Sequence, residues 1–228
     1  AVCANDQVAG WAVAEIVAQL VDKSLVRVDA AGRAPRYEML ETLREYGLEK
    51  ITDDGSAATI RAKHARYFGD YIHQRKGVGH AHTWGQVERS AQLEDEQANI
   101  QVALAWCLHN DIDAGIRQAD HLEYFWFERG HWSVARKWFE AFLPESTNAG
   151  REERAAVLVA LVCLYRNLSV HKDRTLGYAL EAHDLCSASA DTHTQARACF
   201  GMEHALRHAD RAAEAMPWAL EAERLYVE

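Results

Sequence analysis

Histidine, the commonest metal ligand among side chains, occurs twelve times in this 228-residue chain. His204 and His208 lie one helical turn apart with Glu203 beside them, and His80 and His82 flank a single alanine. Two imidazoles a turn apart can share a zinc ion, but a stable tetrahedral site takes three or four ligands. No third ligand follows from the spacing, so the expectation is solvated or core-edge histidines and no metal site. Asp22 and Ser24 could be imagined with a histidine as a hydrolase triad. No strand-to-helix turn with flanking glycines presents that serine, and no catalytic residue is assigned. Glu94-Asp95-Glu96 reads as a solvated helix face that could meet a basic partner. Trp126, Arg129, His131, Trp132 and Arg136 bracket an RGHW turn, with Tyr165-Arg166 expected nearby from a later helix. These residues either pack between helices or line a groove for a peptide or small effector, since aromatics and arginine dominate binding hot spots. Lys23, Arg27, Arg33, Arg36 and Arg44 could grip phosphates.

The charge balance weighs against that last reading. The net charge is -9, and residues 1–50 hold six Lys/Arg against eight Asp/Glu. A surface that takes its affinity from phosphate neutralisation carries the opposite excess. Five scattered cysteines without a CxxC suit reduced, buried thiols, and no apolar run reaches the ~20 residues that span a bilayer. A cytoplasmic protein without membrane association is expected. There is no basic segment ahead of an apolar core at the start, and the sequence stops at RLYVE without a closing cap. Both ends read as cut from something longer.

Three prolines and abundant alanine favour long helices. Trp11, Ile16, Leu20 and Val21 fall at helical spacing. Leu25, Val26 and Val28 suit a strand, 29–32 is turn chemistry, and Arg36–Met39 can return as its partner. Two short strands cannot stand alone and must lean on helices. A helix from Glu41 breaks at 53–56, where Ser56 can cap the next. Beyond it the pattern is helical throughout: a stripe from Ile60 to Ile72, a loop at 76–82, a long segment from Trp84 to Leu108, and a helix from Ile116 to Phe127. The last of these closes in four consecutive aromatics, which requires burial on most sides. WFEA (138–141), ALEA (179–182) and ALEA (219–222) recur at steps of 41 and 40 residues, with helices at 153–168 and 194–208 before the second and third. Helix pairs at that period are the mark of an α-solenoid. Pro217 predicts a kink or a late helix start in the last copy.

LVDKSLVRV, RYEMLETLREYGLEKI, RAKHARYF, LEDEQANIQVALAWCL and FWFERGHWSVARKWFEAFL occur in that order. Together they resemble the region downstream of the nucleotide-binding domain in bacterial signal-transduction ATPases of the STAND class that serve as transcriptional regulators, often with a LuxR-type helix-turn-helix. The resemblance implies an all-α fold. A truncated winged-helix module with a two-stranded β-wing would occupy 1–55, and a right-handed α-solenoid of tetratricopeptide-like pairs would occupy 56–228. It implies a sensor segment that couples an unknown protein or small-molecule effector to an upstream nucleotide-binding domain of the same chain. Asp22, Lys23, Arg27 and Arg36 would sit at that interdomain joint, and Trp126, Arg129, Trp132, Arg136, Tyr165 and Arg166 at the partner surface. DNA would be met through another domain. No GxxxxGK[ST] loop is present, so no cofactor is expected here, with ATP or ADP bound upstream. The alternative is a DNA-contacting winged-helix module.

Overall fold

The computed structural model describes residues 2–4, 8–30, 35–76, 84–187, 189 and 191–227, with the side chains of 84–86 outside that set. The expected turn at 29–32 and the loop at 76–82 fall largely outside the described residues, as do Arg33, His80 and His82. The architecture is all-α with one small β-wing, and the chain divides into two compact units, Ala1–Tyr67 and Phe68–Glu228.

In the first unit α1 (Ala12–Asp22) ends in a left-handed residue, Ser24, with φ 60°. Ser24 N donates to Val21 O at 2.8 Å and Leu25 N to Leu20 O at 2.9 Å. These bonds satisfy helix-end carbonyls and turn the chain into β1 (Val26–Asp29). β2 (Arg36–Met39) pairs with it antiparallel, in the register Val26–Met39, Arg27–Glu38, Val28–Tyr37 and Asp29–Arg36. Opposite charges therefore face one another at two of four rungs, which favours this register. α2 (Glu41–Asp53) carries a Glu41–Arg44 ion pair in its first turn and ends before Gly55, whose φ of 75° suits a residue without a Cβ. α3 (Ala57–His73) follows, with Ser56 N bonded to Asp54 Oδ1 at 2.8 Å. The apolar residues buried in this unit, among those described, are Val26, Ala57 and Ala65.

The second unit holds the remainder of α3 and α4 (Trp84–Asp95), α5 (Gln97–Asn110), α6 (Ile112–Arg129), α7 (Trp132–Glu145), α8 (Arg151–Leu168), α9 (Lys172–Cys186), α10 (Thr192–His208) and α11 (Ala212–Val227), with one 3-10 turn at Ser146–Asn148. Its last six helices form three hairpins, α6/α7, α8/α9 and α10/α11, and α8 packs against both α6 and α10. The repetition extends to single positions. Leu122, Val162 and Met202 are buried at equivalent places on the first helices, as are Ala135, Thr175 and Ala215 on the second helices and Phe142, Ala182 and Ala222 about two turns later. The first helix of each hairpin stops the same way, at a left-handed residue: Gly130 (φ 75°), Ser169 (φ 54°) and Asp210 (φ 60°). In each, the next amide donates to the carbonyl five residues back: His131 N to Trp126 O at 2.8 Å, Val170 N to Tyr165 O at 2.9 Å and Arg211 N to Leu206 O at 2.9 Å. The central helix α8 is buried on nearly all sides. Each of Leu158, Leu161 and Leu164, fully enclosed, gains roughly 1.5–3 kcal/mol from leaving water.

Three details depart from the sequence expectations. The segment 84–108 is two helices, broken at Glu96, whose φ of -105° and ψ of 10° leave the helix. Carboxylates at 94–96 repel the C-terminal end of one helix dipole and suit the N-terminal end of the next, so the break falls at the acidic run. α6 starts earlier than Ile116 because the Asp111 side chain caps it, accepting from Ala114 N at 3.1 Å. α11 begins at Ala212, five residues before Pro217, so the helix does not start late. At that position the proline removes the amide that would bond to residue 213, in the helix's second turn, where one lost bond is tolerable.

Candidate interaction surfaces

The RGHW turn follows from the Gly130 helix stop, which carries the chain round into α7. Trp126 points inward, 1% exposed, with its ring edge-on to Phe139 at 6.0 Å. Trp132 packs on Phe127 at 4.7 Å and remains partly exposed. His131 Nε2 meets the Glu94 carboxylate at 2.9 Å. From α7, Glu140 joins two of the remaining residues. Its Oε1 accepts from the Tyr165 hydroxyl at 3.0 Å and lies 3.7 Å from Arg136 Nε. Tyr165 is 2% exposed, and burial and then the Glu140 contact raise its phenol above the ordinary range. Of the six expected partner-surface residues, Arg136 and Tyr165 are thus brought together through Glu140, and Trp126 and Tyr165 are in the core. Arg129 is exposed, while Trp132, Arg136 and Arg166 are half-buried.

A second cluster carried no sequence signal. Arg197 of α10 reaches across to α6, where its Nη2 donates to Asp120 Oδ1 at 2.6 Å and Glu123 Oε2 at 3.2 Å. Beneath it lies Cys163 of α8, 4% exposed, whose thiol is pushed up by burial and the nearby Glu123 charge. Burial likewise pushes the Glu123 carboxyl up, with Asp120 adding to the effect and Arg197 opposing it. The guanidinium of Arg197 stays charged, because two carboxylates outweigh the burial that disfavours it. Asp120 and Glu123 share a face at i, i+3, but Arg197 is separated from them by a whole hairpin, and nothing in local spacing predicts that pairing.

His204 and His208 do occupy one face of α10. His204 Nδ1 bonds the Glu203 carboxylate and its ring lies 3.9 Å from that of Phe200. Arg207 Nη1 meets the other Glu203 oxygen at 3.1 Å. Among the described residues no group of three or more His, Cys, Asp or Glu is placed to hold a metal. Cys107, Cys163, Cys186 and Cys199 are buried free thiols, with Cys107 and Cys186 each pushed to about 11, mainly by burial. Among the described residues no helix is long and apolar enough to cross a membrane.

On the first unit Asp22, Lys23 and Arg27 are exposed and Arg36 is half-buried, with Arg27 and Arg36 each facing a carboxylate residue across the ladder. The same unit exposes large apolar side chains. Trp11 is 78% exposed, Tyr37 59%, Tyr46 58% and Leu40 53%, and Met39, Ile16 and Val28 also stand out to solvent.

The comparisons with known proteins point one way. This chain is similar to mycobacterial transcriptional regulators. Relatives in Mycobacterium tuberculosis and Mycobacterium bovis, each named "Putative HTH-type transcriptional regulator", are 32% identical over 172 residues, covering 71% of this chain. The matched part spans 18% of the length of those curated relatives. No family model matches the chain.

Proposed function

We propose that this chain is a non-catalytic regulatory and interaction segment of a transcriptional regulator of the STAND ATPase type. Its tetratricopeptide-like hairpins take up a protein or small effector, and its wing unit couples that state to a nucleotide-binding domain upstream. The observation that carries the reading is the exposed apolar surface of the first unit. A soluble surface seldom shows so many large apolar side chains on so small a module unless something docks there. The sequence resemblance names that something as the ATPase domain, and the matched regulators extend well beyond the matched part. In this role a ligand or nucleotide acts by favouring one docking arrangement over another, and the segment performs no chemistry of its own.

A second reading is direct DNA contact through Lys23, Arg27, Arg33, Arg36 and Arg44, and what favours it is DNA binding in general as implied by the printed names of the relatives. Opposed to it are the carboxylates that face three of these cations: Glu38 opposite Arg27, Asp29 opposite Arg36, and Glu41 bonded to Arg44. One experiment separates the two. The chain is immobilised and offered a separately expressed ATPase segment with ADP, with ATP or with neither, and duplex DNA in a parallel lane. Nucleotide-dependent retention of the ATPase segment is the expected result. Retention of DNA alone, lost steeply with salt, would overturn the joint and establish the DNA reading.

A further inference from the structure

We infer that Arg197 is a latch that holds the first and third helical hairpins of the second unit in a closed arrangement over α8. Stacked hairpins ordinarily touch only their neighbours, and the relative rotation from one to the next is free to vary by small amounts. The cross-hairpin ion pairs Arg117–Glu153 (2.9 Å) and Lys172–Asp210 conform to that rule, each joining adjacent hairpins. Arg197 does not. It starts on α10, passes above α8 and ends on α6, bonding two carboxylates with one nitrogen.

The surroundings make this bond more than a surface ion pair. The side chains of Arg197, Asp120 and Glu123 are each only 22–23% exposed, so solvent screens them weakly. The span is short because the helix between is built from small residues where the bridge crosses it. Val159 and Cys163 of α8 are buried there, and Gly201 of α10 sits so close that an added Cβ would lie 3.2 Å from Val159 Cγ2. Phe127 of α6 and Phe200 of α10 flank the same apolar cluster and remain partly buried. An opening of α6 away from α10 would break the charged bonds and wet the Phe127 and Phe200 faces together, which makes the movement two-state in character. The cluster also holds two carboxylates for one guanidinium.

The test measures the separation of the first and third hairpins in the full chain. Donor and acceptor dyes are attached through genetically encoded keto amino acids at Lys137 in α7 and Ala213 in α11, both exposed positions. Wild type is expected to show high, narrow transfer efficiency that changes little as salt is raised, because the bonds are weakly screened. Arg197→Met and the double variant D120N/E123Q should each show low efficiency at every salt concentration, with helical circular dichroism retained. The double amide variant preserves shape and serves if Arg197→Met fails to fold. Efficiency unchanged from wild type in D120N/E123Q would overturn the latch. So would a loss confined to Arg197→Met, because it would trace to repulsion between the two carboxylates left without a cation and not to the ionic bond.

Discussion

At Gly115 a single methyl group is the difference between a formed and a strained core. A Cβ there would lie 2.8 Å from Phe142 Cε1 and 2.9 Å from Cys107 Cβ, so α5, α6 and α7 meet at closest approach around this residue. Gly115→Ala should lower stability by about 1–3 kcal/mol, read as a shifted urea midpoint, despite alanine's better helix propensity. A neutral result would mean that α6 can move outward at no cost. His121 provides a second residue-scale prediction. Burial, and then the charge of Lys76, holds its imidazole down to about 4. In the unfolded chain it titrates near 6.5, so between those values the unfolded state binds the extra proton. Its contribution is fully present above pH ~6.5 and is lost as pH falls toward 4. Replacing it by glutamine should flatten stability against pH over that window, by roughly 1–3 kcal/mol at its acid end. An unchanged acid limb would assign the loss to other groups.

The elements show where their boundaries come from. Ser169 and Asp210 take the left-handed conformation that Gly130 adopts without strain. Ser169→Gly should therefore be neutral or stabilising by up to about 1 kcal/mol, whereas Ser169→Val should cost more than that, both read from thermal melts. Asp191 caps α10 by accepting from Thr194 N at 3.0 Å and His193 N at 3.3 Å. Its replacement by alanine should cost about 1 kcal/mol. Sequence reasoning located the Gly130 stop, since glycine advertises it. It also ended the other two first helices at 168 and 208, as observed, but could not read the left-handed residue behind each stop, because serine and aspartate are equally at home in turns, caps and exposed helix faces.

At the scale of the molecule, the two units differ in how they are held. α1 and α2 have no buried residue, while α8 is buried nearly throughout. Amides of residues 12–53 should exchange with solvent faster than those of 151–168, and limited proteolysis should cut the first unit before the second. Addition of a docking ATPase segment should reverse that order on the first unit. Equal protection in both units, in the chain alone, would contradict the assignment of so thin a core to the first.

Much of this was fixed by local physics. Helical periodicity, the two alternating strands, the 40-residue recurrence and the aromatic run at 124–127 each report on neighbours along the chain, and period and polarity encode those directly. The internal alternation of charge across the wing ladder was likewise implicit in Arg27, Asp29, Arg36 and Glu38. Only the tertiary structure decided which side chains are spent on packing and which on bonds between hairpins. Trp126 and Tyr165 have the residue types of a binding surface, yet the stacking of α6 on α7 and α8 encloses them. Arg197, Asp120 and Glu123 look like ordinary solvated charges until α8 brings α6 and α10 to either side of it. A contact across an intervening hairpin depends on the rotation accumulated from helix to helix. That rotation is set by the summed shapes of many small residues, and no single spacing in the sequence carries it.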